Sequence, residues 1–244
     1  MDGILMEIKR FFAAGDPNMG YLLVDGEEFR HLSKVLRYKA GYKAIACTGD
    51  GFDYLCRIES IEVGRAVLKI EEKQKCAGDP PFELTLYQAL PKGTKADFIV
   101  QKAVELGAGK IVFFASQYSA EEKFNSERLS RIAVEACKQC GRSSVAEIAF
   151  LESFDKVLES REGKTLVMPY ERESEGRLKD ALAGEDGSVD LIVGSEGGFS
   201  EEEAEKARAA GAKLVTLGKR ILRCETAALV SLALVMYERG ELGG

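Results

Sequence analysis

The chain has a single histidine, only five prolines and no long apolar run, and each scarcity removes a class of protein. Its longest apolar stretch, TAALVSLALVMY at 226–237, has 12 residues, against the ~20 that a membrane-spanning helix needs. The amino terminus, MDGILMEIKRFF, lacks a basic segment followed by a sustained apolar run and a small-residue cleavage site, so it does not read as a secretory signal. A cytoplasmic location is expected. One histidine, His31, would have to be the base of any Ser-His-Asp or Cys-His mechanism, which argues against hydrolase readings. The cysteines, Cys47, Cys56, Cys76, Cys137, Cys140 and Cys224, are expected to be reduced thiols in that compartment. Cys137-x-x-Cys140 has no second pair or histidine motif to complete a zinc site, so no metal is expected. What remains, 45% hydrophobic and 30% charged residues with no low-complexity tract, is the composition of a folded protein of one or two domains.

The charge is distributed unevenly. The net charge of -6 belongs to the second part of the chain, because residues 1–76 carry 12 Lys and Arg against 12 Asp and Glu. Within that neutral part, residues 29–49 contain Arg30, Lys34, Arg37, Lys39 and Lys43, interleaved with His31, Tyr38 and Tyr42, and no acidic residue. Such a segment suits phosphate neutralisation and base stacking, although a charge run is also an ordinary solvated face. The spacing of Phe29, Leu32, Val35 and Leu36 predicts a short helix that buries these four and turns Arg30, Lys34 and Arg37 outward. β-rich runs punctuated by Gly49-Asp50-Gly51 and Val63-Gly64 follow, which predicts a small antiparallel barrel or sandwich. The polar and Pro-Pro segment at 73–82 cannot continue a strand, so the boundary is placed near residue 78, dividing the chain into 1–77 and 78–244.

Beyond the boundary the rhythm changes. LTLYQAL (84–90), KIVFFA (110–115), KTLVMPY (164–170), VDLIVG (189–194) and KLVTLG (213–218) are near-continuous apolar runs between helical patterns, predicting an α/β domain with a parallel sheet covered on both faces. Leu129, Ile132, Ala133, Ala136, Cys137 and Cys140 mark an amphipathic helix stopped by Gly141. Ser200 with Glu203 predicts a capping box on a helix that stops at Gly211. In such sheets ligands sit beyond the carboxyl ends of the strands. Three loops there carry candidate chemistry: Met168-Pro169-Tyr170, an apolar wall for a flat ring; Gly194-Ser195-Glu196-Gly197-Gly198, where glycines admit a ligand to the backbone; and Lys219, Arg220, Arg223 and Glu225 at the mouth of an apolar helix. The near-total burial expected of that helix suggests packing against a second subunit.

Taken in order, GSEGGFSEEE at 194–203 and LGKRILRCETAAL at 217–229, with QALPKGTKADFIVQKAVELG at 88–107 upstream, resemble the ribosomal small subunit methyltransferase E family, bacterial 16S rRNA uridine-N3 methyltransferases of the SPOUT superfamily. The resemblance covers essentially the whole chain, from RFF at 10–12 and HLSKVLR at 31–37 to the carboxyl-terminal helix. It implies a PUA-like small β-barrel domain at the amino terminus that binds RNA, a methyltransferase domain with a deep trefoil knot, S-adenosyl-L-methionine held in the knot, and a homodimer formed through the carboxyl-terminal domain. Carried over position by position, the cofactor residues are Met168, Pro169, Tyr170, Gly194, Ser195, Glu196, Gly197, Gly198, Leu217, Gly218, Ile221, Leu222, Glu225 and Thr226. The family usually has Pro at the positions of Ser195 and Lys219, Thr at that of Cys224 and Ser at that of Cys140. Its pattern begins close to Met6, so residues 1–5 are read as an extension or an alternative start.

Methylation at N3 requires the methyl to be held against the nitrogen and the N3 proton to leave. Arg223 or Arg220 is the candidate cation near the uracil oxygens, Glu196 a candidate proton acceptor or arginine holder, and Glu225 an expected partner of Arg223. For 16S rRNA or the small ribosomal subunit, Arg10, Arg30, His31, Lys34 and Arg37, with Lys92, Lys95 and Arg142, are expected to form a basic surface beside the cofactor. The alternatives are a SPOUT methyltransferase acting on a ribose 2′-hydroxyl or a tRNA base, and an RNA-binding protein without activity.

Overall fold

The turn signals and apolar runs set the elements. The computed structural model describes residues 8–119, 123–160, 165–185 and 187–243; Met6 and the proposed extension before it lie outside them. Two compact units form, one of the chain up to Asp79 together with Cys137–Val145, the other of Pro80–Ala136 and Ala146 onward.

In the first unit β1 (Arg10–Phe12), β2 (Tyr21–Val24), β3 (Lys43–Cys47), β4 (Phe52–Glu62) and β5 (Arg65–Lys75) make a sheet in the order β1-β3-β4-β5-β2. β1 runs parallel to β3 and the remaining pairs are antiparallel. Reciprocal 2.8 Å hydrogen bonds between Ala14 and Leu23 join the two ends of that order and close the sheet on itself. Phe11, Leu22, Leu32, Tyr54, Ile58 and Leu68 fill it. The helix α1 (Gly26–Arg30) passes directly into a π-helical turn over His31–Val35. That wider turn breaks the expected phase: Leu32 is buried, but Val35 is 69% exposed, so the four-residue buried stripe is corrected at Val35.

The second unit is a six-stranded parallel sheet of β6 (Leu84–Ala89), β7 (Lys110–Phe114), β8 (Glu147–Leu151), β9 (Thr165–Pro169), β10 (Val189–Val193) and β11 (Lys213–Val215), in the order β11-β9-β10-β6-β7-β8. Every residue of β6 and β10 is buried, as central strands require. The helices are α2 (Lys95–Glu105), α3 (Ser126–Cys140), α4 (Phe154–Ser160), α5 (Leu178–Leu182), α6 (Glu201–Ala209) and α7 (Cys224–Glu238). α6 opens on the predicted capping box, Ser200 and Glu203 each bonding the other's backbone N–H. α7 packs on β6, β10 and α2. Chain order reverses beside β6, with β7 and β8 on one side and β10, β9 and β11 on the other, which places a crevice at the carboxyl ends there. Among the described residues no helix is long and apolar enough to cross a membrane.

Candidate active site

β11, β9 and β10 lie side by side and point the same way, so the segments leaving their carboxyl ends converge. They enclose a cavity of about 510 Å³, within the ~300–1,000 Å³ of small-molecule sites. Pro169 and Tyr170 form one wall, Gly194, Ser195, Glu196, Gly197 and Gly198 a second, and Leu217, Gly218, Ile221 and Leu222 a third. These eleven are among the fourteen positions expected to hold the cofactor. The other three do not line the cavity: Met168 is wholly buried in the core, Thr226 is exposed on α7, and Glu225 faces a lysine.

The glycine loop is packed too closely for side chains. A Cβ on Gly194 would stand 3.0 Å from the Gly198 carbonyl carbon, and one on Gly197 only 2.5 Å from the Tyr118 Cβ. Gly198 adopts φ 66°, the left-handed region. The loop is pinned on both sides: the Ser195 hydroxyl donates to the Tyr118 carbonyl at 2.9 Å, and Gln88 Nε2 donates to the Gly194 carbonyl at 3.0 Å. Glu203 of the capping box also accepts the Gln117 N–H at 2.9 Å, fixing the 116–119 turn to the start of α6.

A charged cluster spans the rim. Lys95 Nζ lies 2.8 Å from Glu196 Oε1 and 3.4 Å from Glu225 Oε2, and the Lys92 N–H donates to Glu196 at 3.1 Å. Burial favours the neutral acid at Glu196, but hydrogen bonds from Lys95 and from backbone N–H groups outweigh it and hold the carboxyl below the ordinary glutamate range. Glu225 behaves likewise: burial opposes ionisation, and its own N–H, the Cys224 thiol and Lys95 overcome it. Burial first, and then the Glu225 carboxylate, pushes the Cys224 thiol up to about 12. The expected Glu225–Arg223 pair is therefore corrected to a Glu225–Lys95 pair, and Lys95 belongs to the pocket wall. Arg220 and Arg223 also line the cavity, exposed and without an ion pair among the described residues.

The cations assigned to RNA fall into two groups. In the first unit Arg30, His31, Lys34 and Arg37 are exposed and make no ion pair with a described residue; in the second, the Lys92 side chain is exposed. Arg10 and Arg142 are removed from that surface. Arg10 is ion-paired with Asp53 and bonded to Ser143, while Arg142 is 3% exposed with Nε 2.9 Å from Asp79 Oδ1. Sequence reasoning also missed wall residues, chiefly Glu171 and Phe199, which follow recognised segments without any signal of their own.

The RNA methyltransferase domain family matches residues 78–236, and the RNA methyltransferase PUA domain family matches residues 24–71. Ribosomal RNA small subunit methyltransferase E of Bacillus subtilis is 30% identical over 234 residues, 91% of each chain. Its counterpart from Neisseria gonorrhoeae, solved bound to S-adenosyl methionine, superposes with a TM-score of 0.81 at 30% identity, covering 95% of this chain and 98% of that one. A Legionella pneumophila methyltransferase solved with bound SAM gives a TM-score of 0.81 at 26% identity over 95% and 98% of the two chains. With its PUA-like first domain, its α/β second domain of the SPOUT-like kind and this pocket at the strand ends, the chain belongs to the ribosomal RNA small subunit methyltransferase E family.

Proposed function

We propose that the protein transfers a methyl group from S-adenosyl-L-methionine to N3 of one uridine in the 16S rRNA of the small ribosomal subunit. The observation that carries this reading is the glycine-floored, arginine-rimmed pocket at the ends of β9, β10 and β11 in a chain of this family. The walls fit a nucleoside cofactor. Pro169, Tyr170, Leu217 and Leu222 offer apolar faces to a purine, and the loop's missing Cβ atoms let a ligand reach the backbone. When bound, the cofactor supplies an electrophilic methyl on a sulfonium.

The chain's own residues do the rest. Arg220 and Arg223 place positive charge where the uracil oxygens become electron-rich as the N3 proton passes to solvent water. Glu196, held ionised by Lys95 and the Lys92 N–H, accepts protons poorly at neutral pH, so it serves to fix Lys95 and the glycine loop. Arg30, His31, Lys34 and Arg37 of the first unit, with Lys92, contact RNA phosphates. Val230, Ala233, Leu234 and Tyr237 lie on one face of α7, with Leu234 and Tyr237 exposed, which supports a homodimer through the second domain. The substrate places the reaction in the cytoplasm.

The test is transfer of labelled methyl from S-adenosylmethionine to small ribosomal subunits that lack base methylation, followed by nucleoside analysis. 3-Methyluridine at a single site is the expected product. Label on a ribose hydroxyl or in tRNA would overturn the acceptor, and cofactor binding without transfer to any RNA would overturn the enzyme.

A further inference from the structure

The pocket contains two carboxylates, and only one is engaged. Glu196 is taken by Lys95 and the Lys92 N–H. Glu171, the second residue after β9, also lines the cavity, and among the described residues no hydrogen bond or ion pair occupies its carboxylate. Its neighbours are committed elsewhere: Arg172 pairs with Glu201, and Glu173 accepts the N–H groups of residues 174–176 while facing Arg208. The Glu171 carboxylate stands where a side chain on the glycine loop would be. A Cβ on Gly198 would come within 2.9 and 3.1 Å of its two oxygens. The missing side chain at Gly198 thus leaves an acceptor-only group open to the cavity, next to the apolar wall of Pro169 and Tyr170.

We propose that Glu171 receives the ribose hydroxyls of the bound nucleoside cofactor, an assignment that rests on the cofactor reading above. The chemistry matches. An ionised carboxylate has two oxygens and only accepts, and a vicinal diol offers two O–H donors that such a group satisfies with charge-assisted bonds. In any adenosine derivative the ribose is joined directly to the purine, so the first polar side chain beyond the purine wall is the one placed to meet it. The pocket's other charged side chains are the cations Lys95, Lys219, Arg220 and Arg223 and the engaged Glu196, none of which is a free acceptor.

Calorimetry with 5′-methylthioadenosine, its 2′-deoxy analogue and S-adenosylhomocysteine tests the assignment. The wild-type protein should bind methylthioadenosine about tenfold more tightly than the deoxy analogue, the worth of one hydrogen bond to a charged group. In Glu171→Ala, methylthioadenosine and S-adenosylhomocysteine should both weaken by that factor and the preference for the 2′-hydroxyl should vanish. Glu171→Gln should fall between, and unchanged circular dichroism and thermal unfolding should show both variants folded. A preference that survives in Glu171→Ala assigns the diol to another residue. Loss confined to S-adenosylhomocysteine moves Glu171 to the ammonium of the amino-acid end and overturns the proposal. A wild-type protein that binds none of the three defeats the cofactor reading itself, a result distinct from any change between variants.

Discussion

Lys95 holds two carboxylates at once, and its removal separates electrostatic from steric roles at the pocket. Because Glu196 titrates below the ordinary glutamate range in the folded protein, the ionised cluster is present above that range and is lost as pH falls through the lowered folded value. Lys95→Met removes the largest favourable contribution and leaves burial opposed only by the backbone N–H groups of Lys92 and Glu196, which moves the carboxyl upward. Affinity for S-adenosylhomocysteine should stay level in the wild type as pH falls to the ordinary glutamate range, and decline at higher pH in the variant. A calorimetric pH series decides it, and superimposable profiles would remove Lys95 as the holder of Glu196. Arg223→Ala tests the cation at the uracil oxygens: turnover should fall by roughly 10²–10³, as for loss of one oxyanion donor, while RNA affinity measured by filter binding changes little. An equal loss of both would transfer Arg223 to RNA binding. The glycine loop and the 217–226 segment were legible in the sequence because their residues are contiguous. Lys95 meeting Glu196 was not, since they lie 101 positions apart and meet only through the order of the sheet.

At the scale of elements, legibility followed burial. β6, β7, β9 and β10 are buried nearly throughout and read as near-continuous apolar runs, whereas β8 lies at the sheet edge, has no fully buried residue, and its short apolar run at 148–151 was not read as a strand. The α1 stripe failed at Val35 because helical spacing cannot anticipate a π turn. Nor did any sequence pattern associate residues 137–145 with the first unit. The attachment is polar: Asp79 accepts Arg142 Nε at 2.9 Å and the N–H groups of Ser143 and Ser144, while Arg10, Asp53 and Ser143 form a second cluster. Burial works against both charges of that cluster, and their mutual hydrogen bonds outweigh it, raising Arg10 and lowering Asp53. Asp79→Ala removes the carboxylate paired with an arginine whose side chain is 4% exposed, so unfolding free energy should drop by about 3–5 kcal/mol. Glu71→Ala breaks the exposed Arg57–Glu71 pair and should cost under ~1 kcal/mol. Urea denaturation of both variants checks the contrast, and equal losses would show that the Asp79 network is no stronger than a surface pair.

For the molecule as a whole, a net charge of -6 opposes a polyanionic partner, so RNA binding must come from where the charges lie. At physiological ionic strength charges beyond ~8–10 Å are largely screened. An acidic surface farther away than that contributes little, while phosphates brought against Arg30, Lys34 and Arg37 would meet three exposed cations that make no ion pair with a described carboxylate. Each phosphate contact contributes a slope of about 0.7–0.9 in log affinity against log salt. Replacing Arg30, Lys34 and Arg37 together with Gln should therefore weaken binding to 16S rRNA and flatten that slope by roughly 2–3. The affinity for S-adenosylhomocysteine should be unchanged, because the pocket is built wholly from the second unit. Arg142→Gln provides the opposite control, losing stability with no change of slope, since its charge already belongs to Asp79. If the triple variant kept the wild-type slope, the three cations would be a solvated face and the contact with RNA would have to arise elsewhere on the chain.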